Sequence, residues 1–374
     1  MRIPFNRAYT VGSELTHIAE AINSGRIAGN GIFTKRCQAF FETQYGFGKT
    51  LLTTSCTDAL EMCAMLLDIR PGDEVIMPSF TFVSTALAFS RQGARIVFVD
   101  SRVEQPGMDE DKIEELITAR TRAIVVVHYA GVSVHMDKVT DIARRYNLFV
   151  VEDAAHAIES FYHDSSGQKK QLGSLGHLGV LSFHETKNIQ CGEGGLLMVN
   201  DSNFADRSEV IWEKGTNRAA FFRGEIEKYS WIDTGSSFLP SDINAAYLWG
   251  QLEKVRDIQA KRMAVWESYQ DGLHAWAQAE GITLPVIPPY ATNNAHMFYL
   301  VCASPGQRVR LLKHLNKHDI SAVFHYQSLH ASPYYRDKHD GRNLPESDRY
   351  SECLFRLPFY VGLDPEPVIR TLLS

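Results

Sequence analysis

Lys187 stands in SFHETKNIQCGEGG (residues 182–195), between an apolar run and a glycine-rich turn. Most lysines are solvated surface residues, but the amine of a lysine held in a site can bond covalently to a carbonyl compound. Asp153, about one βαβ unit earlier, follows another apolar run in VVEDAAHA (residues 150–157). The two side chains fit either a salt bridge or a site for covalent chemistry.

Two further segments could hold an anion and an aromatic ring. In TTSCTDALEM (residues 53–62), a turn of small hydroxyl residues leads into a predicted helix, whose free N–H groups favour an anion or an ordinary N-cap. In PSFTFVST (residues 78–85), Phe82 follows an apolar run, where phenylalanine is usually core. Pyridoxal 5′-phosphate needs a lysine, a carboxylate for its ring nitrogen, an anion cradle and a cover for its ring. Together the four segments predict that cofactor.

These residues need a parallel sheet to bring them together. Continuous apolar strands that alternate with helical stretches predict an α/β fold with a mostly parallel sheet covered by helices. Ligands of such sheets bind at the carboxyl ends of the strands. The predicted strands are Glu74–Met77, Ile96–Val99, Ala123–Val127, Leu148–Val151, Gly179–Phe183 and Leu196–Val199, and predicted helices include Asp58–Leu67 and Met136–Tyr146.

The pattern of apolar residues changes near residue 241. Apolar residues spaced by three and four predict one long helical stretch from Ser241 to about Trp276. It ends before the turn-rich ITLPVIPPYATNN, which indicates the passage into a smaller C-terminal α+β domain. We expect a large domain over residues 1–250 and a small domain over residues 251–374.

Composition limits the classes of function. The chain has 374 residues, 44% of them hydrophobic and 22% charged, which is typical of a globular protein. A net charge of −6 argues against a general affinity for nucleic acid or anionic membranes. Six scattered cysteines predict neither a disulfide framework nor a metal site. Without a signal-peptide pattern or a long apolar run, the cytoplasm is the expected compartment.

Five motifs taken together resemble those of the DegT/DnrJ/EryC1/StrS family of pyridoxal-phosphate sugar aminotransferases. They are SCTDALEM, PGDEVIMPSFTFVST, VVEDAAHA, SFHETKN with EGG, and FHYQSLH, and the resemblance runs from Pro4 to the LPFY near residue 360. It implies a fold-type-I transferase in which Lys187 bonds to the cofactor and then moves a proton. Asp153 would pair with the ring nitrogen, and both residues would be catalytic.

The resemblance also assigns contacts to the cofactor and the sugar. His156 would lie near the ring hydroxyl and Phe82 on the ring face. The expected cofactor contacts are Cys56, Thr57, Asp58, Phe82, Asp153, His156, Ser182, Lys187 and Ser237. The expected substrate contacts are Lys214, Arg218 and Arg223, for the two phosphates of a sugar nucleotide, and His325 and Tyr326, for the sugar.

One departure from the family bears on assembly. The stretch Gly235–Leu239 (GSSFL) stands where the family commonly has Gly-x-Asn-Tyr-Arg, so that Ser237 replaces an asparagine that reaches the phosphate across a dimer interface. The resemblance therefore implies a homodimer with shared active sites.

The expected reaction moves an amino group from L-glutamate to C4 of dTDP-4-dehydro-6-deoxy-D-glucose. SFHETKN, EKGTNR and GSSFLPSD resemble the members that make dTDP-4-amino-4,6-dideoxy-D-galactose, a precursor for cell-surface polysaccharide. Amination at C3, or at C4 with the opposite stereochemistry, remains open. A dehydratase of the same fold would carry histidine in place of Lys187. A binding or regulatory protein without turnover is the alternative from another class.

Overall fold

A computed structural model of the chain describes residues 2–374 and centres on a seven-stranded sheet of order β1-β9-β8-β5-β4-β2-β3. The strands in chain order are β1 (Lys49–Thr53), β2 (Glu74–Pro78), β3 (Arg95–Val99), β4 (Thr121–Val127), β5 (Phe149–Asp153), β6 (Phe161–His163), β7 (Lys169–Gln171), β8 (Leu178–Ser182), β9 (Gly195–Val199), β10 (Tyr299–Val301), β11 (Val323–Phe324) and β12 (Leu354–Arg356). Within the large sheet, β9 runs antiparallel to β1 and β8, and the remaining pairs are parallel. The predicted, mostly parallel sheet is confirmed.

Helices cover both faces of this sheet. Successive residues of β4 alternate between two apolar clusters: Ala123 and Val125 pack on one face, Ile124 and Val126 on the other. The helices are α1 (Glu14–Asn23), α2 (Ile32–Tyr45), α3 (Cys56–Leu66), α4 (Val83–Arg91), α5 (Met136–Tyr146), α6 (Ala205–Trp212), α7 (Arg218–Phe222), α8 (Asp242–Leu252), α9 (Val255–Glu280), α10 (Pro305–Lys317), α11 (Pro345–Cys353) and α12 (Glu366–Leu373). Burial on both faces explains why the strands are continuous apolar runs.

A second, three-stranded antiparallel sheet has the order β10-β12-β11. Its strands share a third apolar cluster with α9, α10, α11 and α12, an α+β arrangement of the kind expected for the C-terminal part. The division into residues 1–250 and 251–374 stays a prediction. Within residues 2–374, none of the helices combines the length and the apolar character that a membrane crossing requires.

Most predicted strands and helices differ from the observed ones by one or two residues at their ends, and three differences matter more. The strand predicted as Leu148–Val151 runs from Phe149 to Asp153, so Asp153 ends the strand instead of following it. The single long helix is two, α8 and α9, because the Glu253 and Lys254 N–H groups bond back to Trp249 and Gln251 and close the first one. The strand β1 was not expected, since the short KTLLT shows no clear alternation.

The direction of the strands positions the site. Because β1, β2, β4, β5 and β8 run the same way, their carboxyl ends lie at one edge of the sheet. Asp153 is the last residue of β5, and the segments that leave β1, β2 and β8 carry Ser55, Phe82 and Lys187. Chain direction alone therefore gathers residues that lie far apart in the sequence.

Candidate active site

Lys187 lies in a loop that leaves the sheet at the end of β8 and returns through β9. Backbone hydrogen bonds close this loop: the Phe183 N–H donates to the Gly194 carbonyl (2.8 Å), and the Lys187 N–H donates to the His184 carbonyl (2.9 Å). The lysine is half-buried, and burial lowers the pKa of its amine to about 8. A sizeable fraction of the amine is therefore uncharged near pH 8, and that is the nucleophilic form.

Asp153 is buried at the end of β5, close enough to Lys187 for each charge to change the pKa of the other. Its Oδ2 accepts a hydrogen bond from the Thr85 hydroxyl (2.7 Å), and its Oδ1 accepts one from the Ala155 N–H (3.2 Å). Burial raises the pKa of Asp153, while these donors oppose the shift. The carboxyl is thus fixed in orientation and kept out of water, as a partner for a ring N–H requires.

The start of α3 can hold an anion through its backbone. The Ser55 hydroxyl accepts from the Asp58 N–H (3.1 Å), which is an ordinary N-cap, and the Asp58 carboxylate accepts from the Thr54 hydroxyl. The N–H groups of Cys56 and Thr57 have no acceptor inside the helix. Cys56, Thr57 and Asp58 were the expected cofactor contacts in this turn. Asp58 already uses its N–H and its carboxylate in hydrogen bonds to Ser55 and Thr54. The N–H groups of Cys56 and Thr57 are therefore the ones that can bind phosphate.

The same helix end lies against β9. A Cβ on Gly195 would stand 2.4 Å from the carbonyl carbon of Ser55 and 2.5 Å from the Cys56 nitrogen, so only glycine fits. Ser182 pairs with Gly195 in the sheet, and its hydroxyl accepts from the His184 N–H at 3.4 Å. Burial raises the pKa of the Cys56 thiol well above its usual value, which keeps the thiol neutral beside the free N–H groups at the start of α3.

Phe82 and His156 border the space at the sheet edge that also carries Lys187, because Phe82 follows β2 and His156 follows β5. Phe82 precedes α4 and is 54% exposed, so its ring is free to cover a planar group and is not core. His156 is buried, and burial together with the charge of Lys187 lowers its pKa well below the usual range. Its Nδ1 accepts from the Ala130 N–H (3.3 Å), and its ring stacks on His296 with centroids 4.2 Å apart.

His325 and Tyr326 reach this space from the end of β11. The Nδ1 of His325 is hydrogen bonded to the Tyr129 hydroxyl (2.6 Å), and its ring lies 6.2 Å from that of His156. The Tyr326 ring lies 5.9 Å from that of Phe82, and its backbone has a φ of 32°, which is strained for a tyrosine. The C-terminal part of the chain therefore places two aromatic side chains beside Phe82 and His156, and their contact with a sugar stays a prediction.

Four residues around the site were not singled out from the sequence: Thr85, Tyr129, His296 and Arg356. Thr85 binds the Asp153 carboxylate, and His296 stacks on the imidazole of His156. The only signal for Arg356 was its position in LFRLPF, an arginine within an otherwise apolar strand. The other three carried no local signal, because their roles depend on neighbours remote in the sequence.

Four further predicted residues lie in the exposed segment of residues 213–237. Lys214 and Ser237 are exposed, and Arg218 lies over the ring of Phe222, 5.0 Å from its centroid. Arg223 forms ion pairs with Glu209 (2.8 Å) and Glu225 (2.7 Å), so its charge is already compensated. Within residues 2–374, no hydrogen bond or ion pair joins these four side chains to the residues around Lys187.

Comparisons with known proteins agree with this geometry. The family model of the DegT/DnrJ/EryC1/StrS aminotransferase family matches residues 10–372. The aminotransferase TlmJ from Streptoalloteichus hindustanus is 27% identical, with a TM-score of 0.90 over 100% of this chain and 98% of that chain. DesV from S. venezuelae is 29% identical, with a TM-score of 0.87 over 99% of this chain and 96% of that chain.

A further solved structure shares the fold at lower identity. Spr1654 from Streptococcus pneumoniae, solved in a PLP-form, is 23% identical and has a TM-score of 0.88 over 100% of this chain and 98% of that chain. It has also been solved in a PMP-form.

Proposed function

The chain belongs to the DegT/DnrJ/EryC1/StrS aminotransferase family and is a pyridoxal-phosphate-dependent sugar aminotransferase, and on this premise we propose that it aminates C4 of dTDP-4-dehydro-6-deoxy-D-glucose. L-Glutamate is the proposed donor, and dTDP-4-amino-4,6-dideoxy-D-galactose and 2-oxoglutarate are the products. The observation that carries the proposal is the half-buried Lys187, with a pKa of about 8, beside the buried carboxyl of Asp153.

The cofactor, when bound, supplies an electron sink for the pair of electrons left at a deprotonated carbon. The residues present fit its parts. Asp153, held by Thr85, would pair with the ring nitrogen, and the exposed ring of Phe82 can cover the ring face. The free amides of Cys56 and Thr57, next to Ser182, suit the phosphate, and neutral His156 suits the ring hydroxyl. Asp58 contributes through the cap of α3.

Lys187 carries out the proton movements in this proposal. As a free amine, it can take the proton from the donor's Cα. A pKa of about 8 is close to the working pH, which is where a group that both accepts and returns a proton is most effective. In the second half-reaction the same amine would deliver a proton to C4 of the sugar.

The specific sugar rests on motif resemblance and on the cations of residues 213–237. Lys214 and Arg218 are exposed and suit the two phosphates of a sugar nucleotide. Arg218 has only a long ion pair with Glu213 (3.9 Å), whereas Arg223 is held by Glu209 (2.8 Å) and Glu225 (2.7 Å). Amination at C3, or with the opposite stereochemistry at C4, is the competing assignment within the same class. A member without turnover is disfavoured because a non-catalytic protein has no need of a lysine with a lowered pKa.

Dimerisation is part of the proposal. The segment that carries Ser237 exposes four large apolar side chains, Phe222 (64%), Tyr229 (51%), Trp231 (81%) and Ile232 (56%), which a partner subunit would cover. Ser237 would then contribute to the partner's phosphate site. Light scattering should give twice the chain mass, and an active monomer would contradict the shared site. The cytoplasm is the proposed compartment, supported by six free cysteines.

The experiment follows the absorbance of the bound cofactor through both half-reactions. L-Glutamate should bleach the band of the holoenzyme, and dTDP-4-dehydro-6-deoxy-D-glucose should restore it. NMR couplings of the product then give the position and the stereochemistry of the new amine. Restoration by a different keto-sugar would replace the substrate but keep the class. Lys187→Ala is the matched control, which should bind cofactor without bleaching.

A further inference from the structure

His296 and His156 form a stacked pair of imidazole rings at the edge of the site. Their centroids lie 4.2 Å apart and their planes differ by 20°, so the rings are nearly parallel. Both side chains are buried, and burial lowers the pKa of each imidazole well below the usual range. Both rings are therefore neutral, and they stack without charge repulsion.

The hydrogen bonds of His156 leave one ring nitrogen free. Its Nδ1 accepts from the Ala130 N–H (3.3 Å), which places the ring proton on Nε2. Within residues 2–374, no protein group accepts that proton. The Nε2–H suits the negative ring oxygen of the cofactor only if the imidazole keeps one orientation. A ring held by a single hydrogen bond can still tilt, so another contact must fix its plane.

The protein holds His296 at its side chain and at its backbone. Its Nδ1 lies 2.8 Å from the Oδ1 of Asn188, the residue after Lys187. Its N–H donates to the Oδ1 of Asn294 (3.1 Å), whose Nδ2 donates to the carbonyl of His156 (2.7 Å). His296 is thus tied both to the loop of the reacting lysine and to the backbone of His156.

The backbone before His296 is strained. Ala295 has a φ of 49°, a left-handed conformation that is unfavourable for a residue with a Cβ. Arg262 of α9, whose guanidinium is buried, donates to the carbonyls of Ala295 (3.0 Å) and His296 (2.6 Å) and so holds this turn. A strained residue and a buried charge both lower stability, and strained residues that neighbouring contacts hold in place are concentrated at functional sites. The contacts of this turn therefore fix the ring of His296.

We propose that His296 is a positioning residue that keeps the imidazole of His156 flat, with its Nε2–H directed at the ring oxygen of the cofactor. The inference rests on the cofactor contact of His156 in the proposed function. The stack supplies the orientation that the hydrogen bond to Ala130 leaves open. The bond to Asn188 fixes where the pair stands relative to Lys187.

The test follows the absorbance of the bound cofactor against pH, and it needs neither glutamate nor the keto-sugar. A donor at the ring oxygen stabilises the negative charge there. Without that donor, the oxygen holds the proton it shares with the nitrogen of the bound lysine more tightly, so the pKa read from the absorbance rises. The charged groups that act on the two histidines, Lys187, Arg262 and Arg356, are the same in every variant.

Two substitutions separate the ring of His296 from its hydrogen bond. His296→Asn keeps a donor for Asn188 but removes the ring, and should raise the pKa read from the absorbance by about 1. His296→Phe keeps a flat ring without the donor, and should change that pKa by less than about 0.3 while lowering the urea midpoint of unfolding. His318→Ala is the matched control, because it removes one ring of another histidine pair, 4.7 Å from His314, and should change neither quantity.

Each outcome decides the assignment. An unchanged pKa in His296→Asn overturns it, and so does an equal rise in His296→Phe, since the hydrogen bond to Asn188 would then be the cause. In a His156→Ala background, His296→Asn should have no further effect, and a full further shift would show that His296 acts independently of His156. If His296→Asn fails to retain cofactor, His296→Phe decides, because an unshifted pKa supports the assignment and a shifted one overturns it.

The same measurements separate this inference from the proposed function. If His156→Ala alone leaves the pKa unchanged, the proposed contact of His156 fails, and the role of His296 fails with it. If the pKa shifts as expected but glutamate does not bleach the cofactor, the proposed transamination fails and not the role of His296.

Discussion

The hydroxyl of Thr85 donates a 2.7 Å hydrogen bond to Oδ2 of Asp153, and this bond ties α4 to the end of β5. Thr85 is itself 3.0 Å from the hydroxyl of Thr81, so a short chain of hydroxyls ends at the buried carboxyl. The arrangement fixes which way the carboxyl faces. In the proposed function Asp153 acts on the cofactor, and Thr85 positions Asp153.

Removing the Thr85 hydroxyl should weaken cofactor binding without abolishing it. Thr85→Val keeps the shape of the side chain but leaves a buried carboxyl with one donor fewer, so the pKa of Asp153 should rise further. We expect the free energy of unfolding to fall by about 1–2 kcal/mol and cofactor affinity to fall roughly tenfold. Urea unfolding and cofactor titration measure the two, and Thr85→Ser, which retains the hydroxyl, should stay near wild type.

Lys187 should destabilise the cofactor-free protein below pH 8. Its folded pKa of about 8 lies below the ordinary value of 10.5, so the folded state binds the proton more weakly than the unfolded state. The cost is complete below pH 8 and fades as the pH rises toward 10.5. Lys187→Met should therefore raise the free energy of unfolding by roughly 1–3 kcal/mol at pH 7 and by less at pH 10.

Urea unfolding of the cofactor-free protein at both pH values checks this prediction. Lys313→Met is the control, because Lys313 is exposed and its removal should have the same small effect at pH 7 and pH 10. A gain from Lys187→Met that grows with pH would show that the amine is not held in a desolvated site.

Gly195→Ala should push α3 away from the sheet. The new Cβ would stand 2.4 Å from the backbone of Ser55, and backbone atoms cannot move aside as a flexible side chain can. We expect a loss of about 2 kcal/mol or more in the free energy of unfolding and a larger loss of phosphate affinity. Gly306→Ala, in α10 with no contact closer than 3.9 Å, should be neutral or slightly stabilising.

The cationic side chains Lys214, Arg218 and Arg223 should divide into two groups by how much their removal raises the KM for the sugar nucleotide. Lys214→Gln combined with Arg218→Gln should raise the KM for the sugar nucleotide about tenfold while kcat changes little, because both side chains are exposed and Arg218 is held only by a long ion pair with Glu213 (3.9 Å). Arg223→Gln should change KM by less than about twofold, because Glu209 and Glu225 already hold its charge. An equal effect of all three substitutions would mean that the segment rearranges when substrate binds.

Much of this site can be predicted from the sequence. Local patterns indicate the strands, and parallel strands bring the residues at their ends to one edge of the sheet. The apolar runs before Asp153 and Lys187 predict parallel strands, and parallel strands bring their carboxyl ends to one edge. The glycine at position 195 and the small residues near Ser55 also belong to motifs that can be read locally. Asp58 shows the limit of such reading, since its N–H donates to the capping Ser55 hydroxyl and its carboxylate accepts from the Thr54 hydroxyl.

The sequence by itself determined the α/β class, the lysine–carboxylate pair and the cofactor, because each depends on residue type and on short-range periodicity. Only the tertiary structure decided which donors hold Asp153, that Phe82 is exposed, and that Arg223 is engaged by carboxylates. Burial and hydrogen-bond satisfaction are properties of what surrounds a side chain in space, and those surroundings include other segments of the chain, such as Thr85, 68 residues before Asp153.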